Sequence, residues 1–423
     1  MQSDNKMLLQ NLFKAAYQSC LAEQAMPEHL ANIQYSDKVC IIGAGKAAAE
    51  MAAAAHAFFG EACYGTVVTR YGYETEKDTG AIEVLTAGHP SPDQNSLFAG
   101  QKLLDLVKQT PSDVPVVFLI SGGGSALACL PVEGLEFSEK LAVHQFLVKS
   151  GASITEINTV RKHLSALKGG KLAAACQSSM TSLILSDVVG DDMSVIASGP
   201  TVIDHTTAQQ ALDILIKYQY PVSDKLEQIL SRDTSVDTQY SHNTQNSTQN
   251  VIIANANVAI DTAAKQAHQL GIKTHILSYD IEGDAQQVAK EHAAIALEYK
   301  RKGERILLLS GGEMTVKAQN ATGDGGPNQE YMLTMAMELN NTPGICAISC
   351  DTDGVDGSQD VAGAFIDEST LTRAKQLGLE PRTYLNTHDS YHFFKQLDDL
   401  IITGPTNTNV NDFRAIYVNG MAD

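Results

Sequence analysis

Short runs of Val, Ile and Leu recur along the chain and end abruptly in Gly, Ser or Asp. Residues 38–42, 66–69, 114–120, 181–185, 251–254, 274–277, 305–309 and 345–349 are such runs, and each predicts a strand. Most lack polar alternation, which is the pattern of strands covered on both faces. Helical spacing of apolar positions fills many of the gaps, as in 46–59, 101–107, 139–147 and 285–300. The opening residues Met7, Leu8, Leu9, Leu12, Phe13 and Ala16 share one helical face and alternate with polar residues, unlike a signal peptide. Strands alternating with helices predict an α/β fold with largely parallel sheets flanked by helices, a Rossmann-like architecture. In such sheets ligands gather beyond the carboxyl ends of the strands.

One stretch breaks the pattern. Residues 231–250 (SRDTSVDTQYSHNTQNSTQN) offer almost nothing to bury, so they predict a polar linker or surface loop. The chain then divides into an N-terminal domain (1–235), the linker (236–250) and a C-terminal domain (251–423), with the active site expected in the cleft between the two.

Composition narrows the function. The 423 residues hold 30 Lys and Arg against 49 Asp and Glu, a net charge of −19, with 43% apolar residues. Such a field opposes nucleic acid and anionic membrane as partners. No apolar run nears the roughly 20 residues that span a bilayer. Seven scattered cysteines form no metal pair and no disulfide framework. A cytoplasmic protein acting on a small molecule is expected, and a homodimer is left open.

Chemistry is concentrated at the strand ends. Gly43-Ala44-Gly45-Lys46 opens an Ala-rich helix after the first strand. The spacing fits a dinucleotide fingerprint with Ala48 in third place, while Lys46 offers a cation for a phosphate or carboxylate. Ser121-Gly122-Gly123-Gly124-Ser125 follows a second strand and lets backbone amides approach a phosphate, and Ser310-Gly311-Gly312-Glu313 is its C-terminal counterpart. Arg161, Ser165 and Lys168 are spaced i, i+4, i+7 in an otherwise acidic chain. Carboxylates cluster at Asp187, Asp191 and Asp192, and again at Asp351, Asp353 and Asp356, where they suit Mg²⁺ or a base. Two amide-rich loops carry Asn328 with Gln329 and Asn409 with Asn411. No Walker spacing and no GxSxG elbow occurs.

The strings GAGKAA, AGHPSPD, LISGGGSAL, EINTVRKHLSALKGGKLA, LSDVVGDDMSVIASGP, LLSGGE, GGPNQE, DTDGVDG and TGPTNTNVND resemble, in order, the glycerate 2-kinase family with its C-terminal MOFRL domain. The likeness runs from about residue 38 to residue 412. It implies transfer of the ATP γ-phosphoryl group to the 2-hydroxyl of D-glycerate with Mg²⁺. By the same resemblance Lys46 is the active-site lysine, and Asp187 orients or deprotonates the substrate hydroxyl. Gly45 and the Ser121–Ser125 loop cradle ligand, and Arg161 and Lys168 hold carboxylate or phosphate. Gly311, Gly312, Glu313, Asn328, Gln329, Asn409 and Asn411 face the nucleotide or the cleft, and Asp191, Asp351 and Asp353 are metal candidates. The chain departs from the family at Pro327, where an Arg is usual, and at Asn407, where a Gly is common. If that Arg stabilises transition-state charge, its loss costs on the order of 10³ in rate unless another cation such as Arg161 substitutes. The competing readings are an NADPH-dependent hydroxypyruvate reductase and a non-catalytic ligand-binding homologue.

Overall fold

The apolar runs become two six-stranded sheets, each with its own helices. The computed structural model describes residues 2–231, 248–317 and 322–420. It forms two units, Ala22–Ile253 and Met1–Leu21 together with Ala254–Asp423.

The first unit contains β1 (Val39–Ala44), β2 (Cys63–Arg70), β3 (Ala81–Ala87), β4 (Val116–Ile120), β5 (Met180–Leu185) and β6 (Thr248–Ala254), in the order β3-β2-β1-β4-β5-β6. The pairs from β3 through β5 are all parallel. β1 and β4 are buried along their whole length, as their unbroken apolar runs predict. This order reverses between β1 and β4, the switch point where doubly wound sheets open a crevice. Helices Ala48–Phe59 and Gln94–Gln109 pack on the strands that precede them. Four further helices, Phe137–Lys149, Ile154–His163, Ala208–Lys217 and Asp224–Ser231, enclose a core of their own around Val143, Leu147, Val160, Leu215 and Leu226.

The second unit contains β7 (Lys273–Asp284), β8 (Ile306–Thr315), β9 (Ile345–Asp351), β10 (Gly363–Ile366), β11 (Leu400–Ile401) and β12 (Asp412–Val418), in the order β11-β10-β9-β12-β8-β7. Among the described residues only β7 and β8 pair in parallel, and the other four pairings are antiparallel. The expected parallel arrangement therefore holds for the first sheet and not for this one. A continuous apolar run reports that both faces are covered, here by helices Ala285–Arg301 and Pro327–Leu339 on one face and by Gln2–Ser19 and Ala256–Gln269 on the other, but it carries no strand direction.

Two further points differ from the sequence reading. Helix Gln2–Ser19 buries Leu9, Leu12 and Phe13 against helix Ala256–Gln269 and the β9 and β12 strands, so the first 21 residues belong with the second unit. Of the expected linker, residues 236–247 lie outside the described residues, whereas 248–250 begin β6. There Asn250 accepts a hydrogen bond from Thr201 Oγ1 at 2.6 Å.

Candidate functional site

In the first unit, the carboxyl ends of β1, β4 and β5 lie side by side, and three glycines bring the following loops into contact. Gly45 has φ +150, and a Cβ there would overlap the Ser121 side chain. A Cβ on Gly122 would overlap the Asp187 carboxylate, and one on Gly123 (φ +83) would lie 2.9 Å from the His89 ring and 3.5 Å from Lys46 Cγ. The Ser121–Gly123 turn is thus the floor that Lys46, His89 and Asp187 share.

The amides of the first turn are already used. The Gly45 N–H donates to the Val68 carbonyl (3.1 Å), Lys46 N–H to the Gly122 carbonyl (2.8 Å), and Ala47 N–H to Ser121 Oγ (3.0 Å). The loop after β4 occupies the place where a dinucleotide pyrophosphate would dock. What this turn offers a ligand is the half-buried Lys46 side chain.

Beside this floor lies a cavity of about 520 Å³, lined by His89, Gly123, Ser125, Lys140, His144, Arg161 and Lys168 together with apolar side chains such as Val143, Ile157 and Val160. Helices Phe137–Lys149 and Ile154–His163 supply most of its wall. Ser153 and Glu156 close a capping box at the start of the second, which fixes the frame of Asn158 and Arg161. Arg161 Nη1 donates to Asn158 Oδ1 (3.0 Å) and Ser125 Oγ (3.3 Å), and Ser198 Oγ donates to the same Asn158 oxygen (3.3 Å). Lys168, 2% exposed, donates to the Ser125 and Ala128 carbonyls (2.9 and 3.4 Å), and Lys140, 6% exposed, donates to the Leu164 carbonyl (2.7 Å).

Among the described residues no carboxylate lines this cavity. Burial, with Lys140 and Arg161 nearby, pushes the Lys168 ammonium down to about 7, and burial together with Arg161 pushes Lys140 down to about 8. His144 falls to about 4 through burial and the cations Arg161, Lys140 and Lys168, and His89 falls to about 4 through burial, Lys46 and Arg70. Buried like charges without a counter-charge are costly unless an anion arrives to offset them. Sequence reasoning found Arg161 and Lys168 but missed Lys140, His144, His89 and Asn158. The available signal was a lysine and a histidine four apart among the buried positions Val143 and Leu147 of one helix.

The second unit gathers the remaining candidates into a polar network. Arg414, on β12, is 1% exposed and donates to Asp412 Oδ2 (2.9 Å), Ser310 Oγ (3.0 Å) and the Gly311 carbonyl. Asn328 donates to Asp412 Oδ1 (2.6 Å), and the Asn328 and Gln329 N–H groups donate to the two Asp356 oxygens (3.0 and 2.9 Å). Asp356 thereby caps helix Pro327–Leu339, in which Pro327 is the first residue, a position proline's fixed φ suits. Asn328 and Gln329 are buried and act within this scaffold. Gly312 (φ +98) packs directly against Ile281, and the Asn411 N–H donates to Asn409 Oδ1 (2.9 Å). Glu313 is exposed and Asn409 half-buried, so these two of the set present side chains to solvent.

Asp351 and Asp353 do come together at the end of β9, where Asp353 N–H donates to Asp351 Oδ1 (2.9 Å). Burial, with Asp353 and Asp412 adding like charge, raises the Asp351 carboxyl well above the usual range. Asp191 lies in the first unit, past β5. Among the described residues no group of three or more His, Cys, Asp or Glu is arranged to hold a metal. Mg²⁺ needs only one or two carboxylates beside the phosphates of its nucleotide, and the crowded Asp351–Asp353 pair fits that demand.

Comparison with known proteins identifies the family of the chain. Residues 8–231 match a family described as a domain of unknown function (DUF4147), and residues 306–412 match the MOFRL family. The D-glycerate 2-kinase of Thermotoga maritima is 37% identical over 96% of this chain and 97% of its own length. The glycerate 2-kinase of Pyrococcus horikoshii is 38% identical over 88% of this chain and 86% of its own. A protein of Agrobacterium vitis that carries the name of a hydroxypyruvate reductase is 41% identical over 98% of this chain and 94% of its own. The crystal structure of a glycerate kinase from Thermotoga maritima superposes with a TM-score of 0.92, at 36% identity over 98% of this chain and 100% of that one.

Proposed function

This chain belongs to the glycerate 2-kinase family, and we propose that its basic cavity and the adjoining Gly122–Gly123 floor are where D-glycerate is held and phosphorylated. The reaction transfers the γ-phosphoryl group of ATP to the 2-hydroxyl of D-glycerate, giving 2-phosphoglycerate and ADP. The observation that carries the site is a cavity lined by two buried lysines, Lys140 and Lys168, and the half-buried Arg161, with no lining carboxylate among the described residues. It adjoins the loop against which Lys46 and Asp187 are packed.

In this reading Arg161 and Lys168 hold the substrate carboxylate through charge-assisted hydrogen bonds. Asp187 orients the 2-hydroxyl and accepts its proton as the hydroxyl oxygen bonds to the γ-phosphorus and the bond to the β–γ bridging oxygen breaks. Lys46 offsets the charge on the equatorial phosphoryl oxygens, which is where catalysis of a loose transition state acts. Mg²⁺, when bound, neutralises nucleotide phosphate oxygens, and Asp351 and Asp353 are the residues that would hold it. The seven cysteines are all buried free thiols, which supports a cytoplasmic setting.

Purified protein given D-glycerate, ATP and Mg²⁺, assayed for ADP with ³¹P NMR of the product, tests the reading. Formation of 2-phosphoglycerate is expected and would show that Pro327 is tolerated, whereas 3-phosphoglycerate would overturn the regiochemistry. The hydroxypyruvate reductase name borne by a relative motivates one control, NADPH oxidation with hydroxypyruvate. The amides committed at Gly45, Lys46 and Ala47 argue that this control is silent.

A further inference from the structure

Arginine only donates hydrogen bonds, so every partner of Arg161 is an acceptor. Its partners are Ser125 Oγ, Asn158 Oδ1 and, through Nη2 at 3.3 Å, His144 Nδ1. All three are neutral groups, in contrast to Arg373 and Arg414 elsewhere in the chain, which pair with the carboxylates of Asp399 and Asp412. His144 Nδ1 must present its lone pair to the guanidinium, which puts the ring proton on Nε2. Burial and the neighbouring cations keep the ring uncharged.

We propose that His144 is a positioning residue of the substrate site, fixing Arg161 through a neutral acceptor so that the guanidinium charge stays available to the D-glycerate carboxylate. A carboxylate in the same place would orient Arg161 equally well and cancel its charge, closing the cavity to anions. The inference rests on the substrate reading above and deepens it: the site owes its affinity as much to the acids it excludes as to the bases it contains.

The discriminating series is His144→Asn, which keeps a neutral acceptor near the Nδ1 position, and His144→Asp, which supplies a charged one. Steady-state kinetics and calorimetric binding of D-glycerate without nucleotide are measured for both. His144→Asn should hold KM and Kd within about threefold of wild type. His144→Asp should raise both by about tenfold or more with kcat little changed, the scale of one lost charge-assisted hydrogen bond. Asn158→Asp, isosteric and on the other side of Arg161, should reproduce the effect and carries the test if His144→Asp does not fold. Equal KM in the Asn and Asp variants of His144, or an unchanged Kd in Asn158→Asp, would overturn the proposal. A purely structural role would lower the melting temperature and kcat without separating the two variants. Wild-type protein that neither binds nor phosphorylates D-glycerate would instead sink the substrate reading itself.

Discussion

Lys168 and Lys140 sit below the ordinary lysine range because burial and mutual repulsion disfavour their charged forms, to about 7 and about 8. Their charge is therefore lost as pH rises through that window, while the D-glycerate carboxylate stays ionised throughout. Affinity should be highest near pH 6 and fall toward pH 9, by up to about tenfold per pH unit for each proton that binding must restore. Neither His89 nor His144 titrates in that window, since each lies at about 4, and Arg161 keeps its proton. Calorimetry of D-glycerate binding without ATP checks this, and a flat profile would remove the lysines from the site. Lys46→Ala should cut kcat by about 10²–10⁴ with the melting temperature retained, the scale of a lost electrostatic stabiliser. Near-normal turnover would remove Lys46 from the mechanism. At this scale the sequence was half legible. Arg161 and Lys168 stood out as cations at helical spacing. Lys140 and His144 did not, because even a Lys and a His four apart on a helix read as solvated residues until the opposite wall is known.

Short loops between strand ends and helices set the site, and their tolerances can be tested. Gly122 follows β4 and faces the Asp187 carboxylate beyond β5, where any Cβ would overlap it. Gly122→Ala must therefore displace Asp187 or the loop. Its kcat should fall toward that of Asp187→Asn, in which the carboxylate is replaced by a near-isosteric amide, while D-glycerate binding at Arg161 changes little. Wild-type turnover in Asp187→Asn would leave that residue a structural role, and wild-type turnover in Gly122→Ala would show that the contact is not needed. At this scale, apolar runs located eight strands, because a strand covered on both faces must be continuously apolar. β12 escaped because Asp412 and Arg414 interrupt its run. Their charges are compatible with the middle of a sheet only because they pair with each other and with Asn328, Ser310 and Gly311. No one-dimensional pattern announces that compensation.

At the scale of the molecule, chain order and structural membership part company at the N-terminus. The amphipathic face of helix Gln2–Ser19 is plain in the sequence, but which core it covers depends on a surface made by residues more than 200 positions later. Leu9, Leu12 and Phe13 are fully or almost fully buried, and Phe13 packs at a tilt against Phe413 with ring centroids 5.6 Å apart. Thr408 Oγ1 also donates to the Cys20 carbonyl at 2.9 Å, tying the end of this segment to the loop before β12. Burial of three large apolar side chains contributes roughly 5–9 kcal/mol, an upper figure because the unfolded chain buries some of that surface. That is comparable with the whole stability of many domains. Deleting residues 1–21 should lower the melting transition of the second unit by about 10 °C, given about 2–4 °C per kcal/mol for a unit of this size. D-glycerate binding at the proposed Arg161 and Lys168 site should survive the deletion, since every residue of that cavity lies in Ala22–Ile253. Calorimetric scanning of the truncated chain, with and without D-glycerate, separates the two effects. An unshifted transition would mean that the helix adds little to the core it covers, and loss of D-glycerate binding would mean that the cavity depends on more than its own unit.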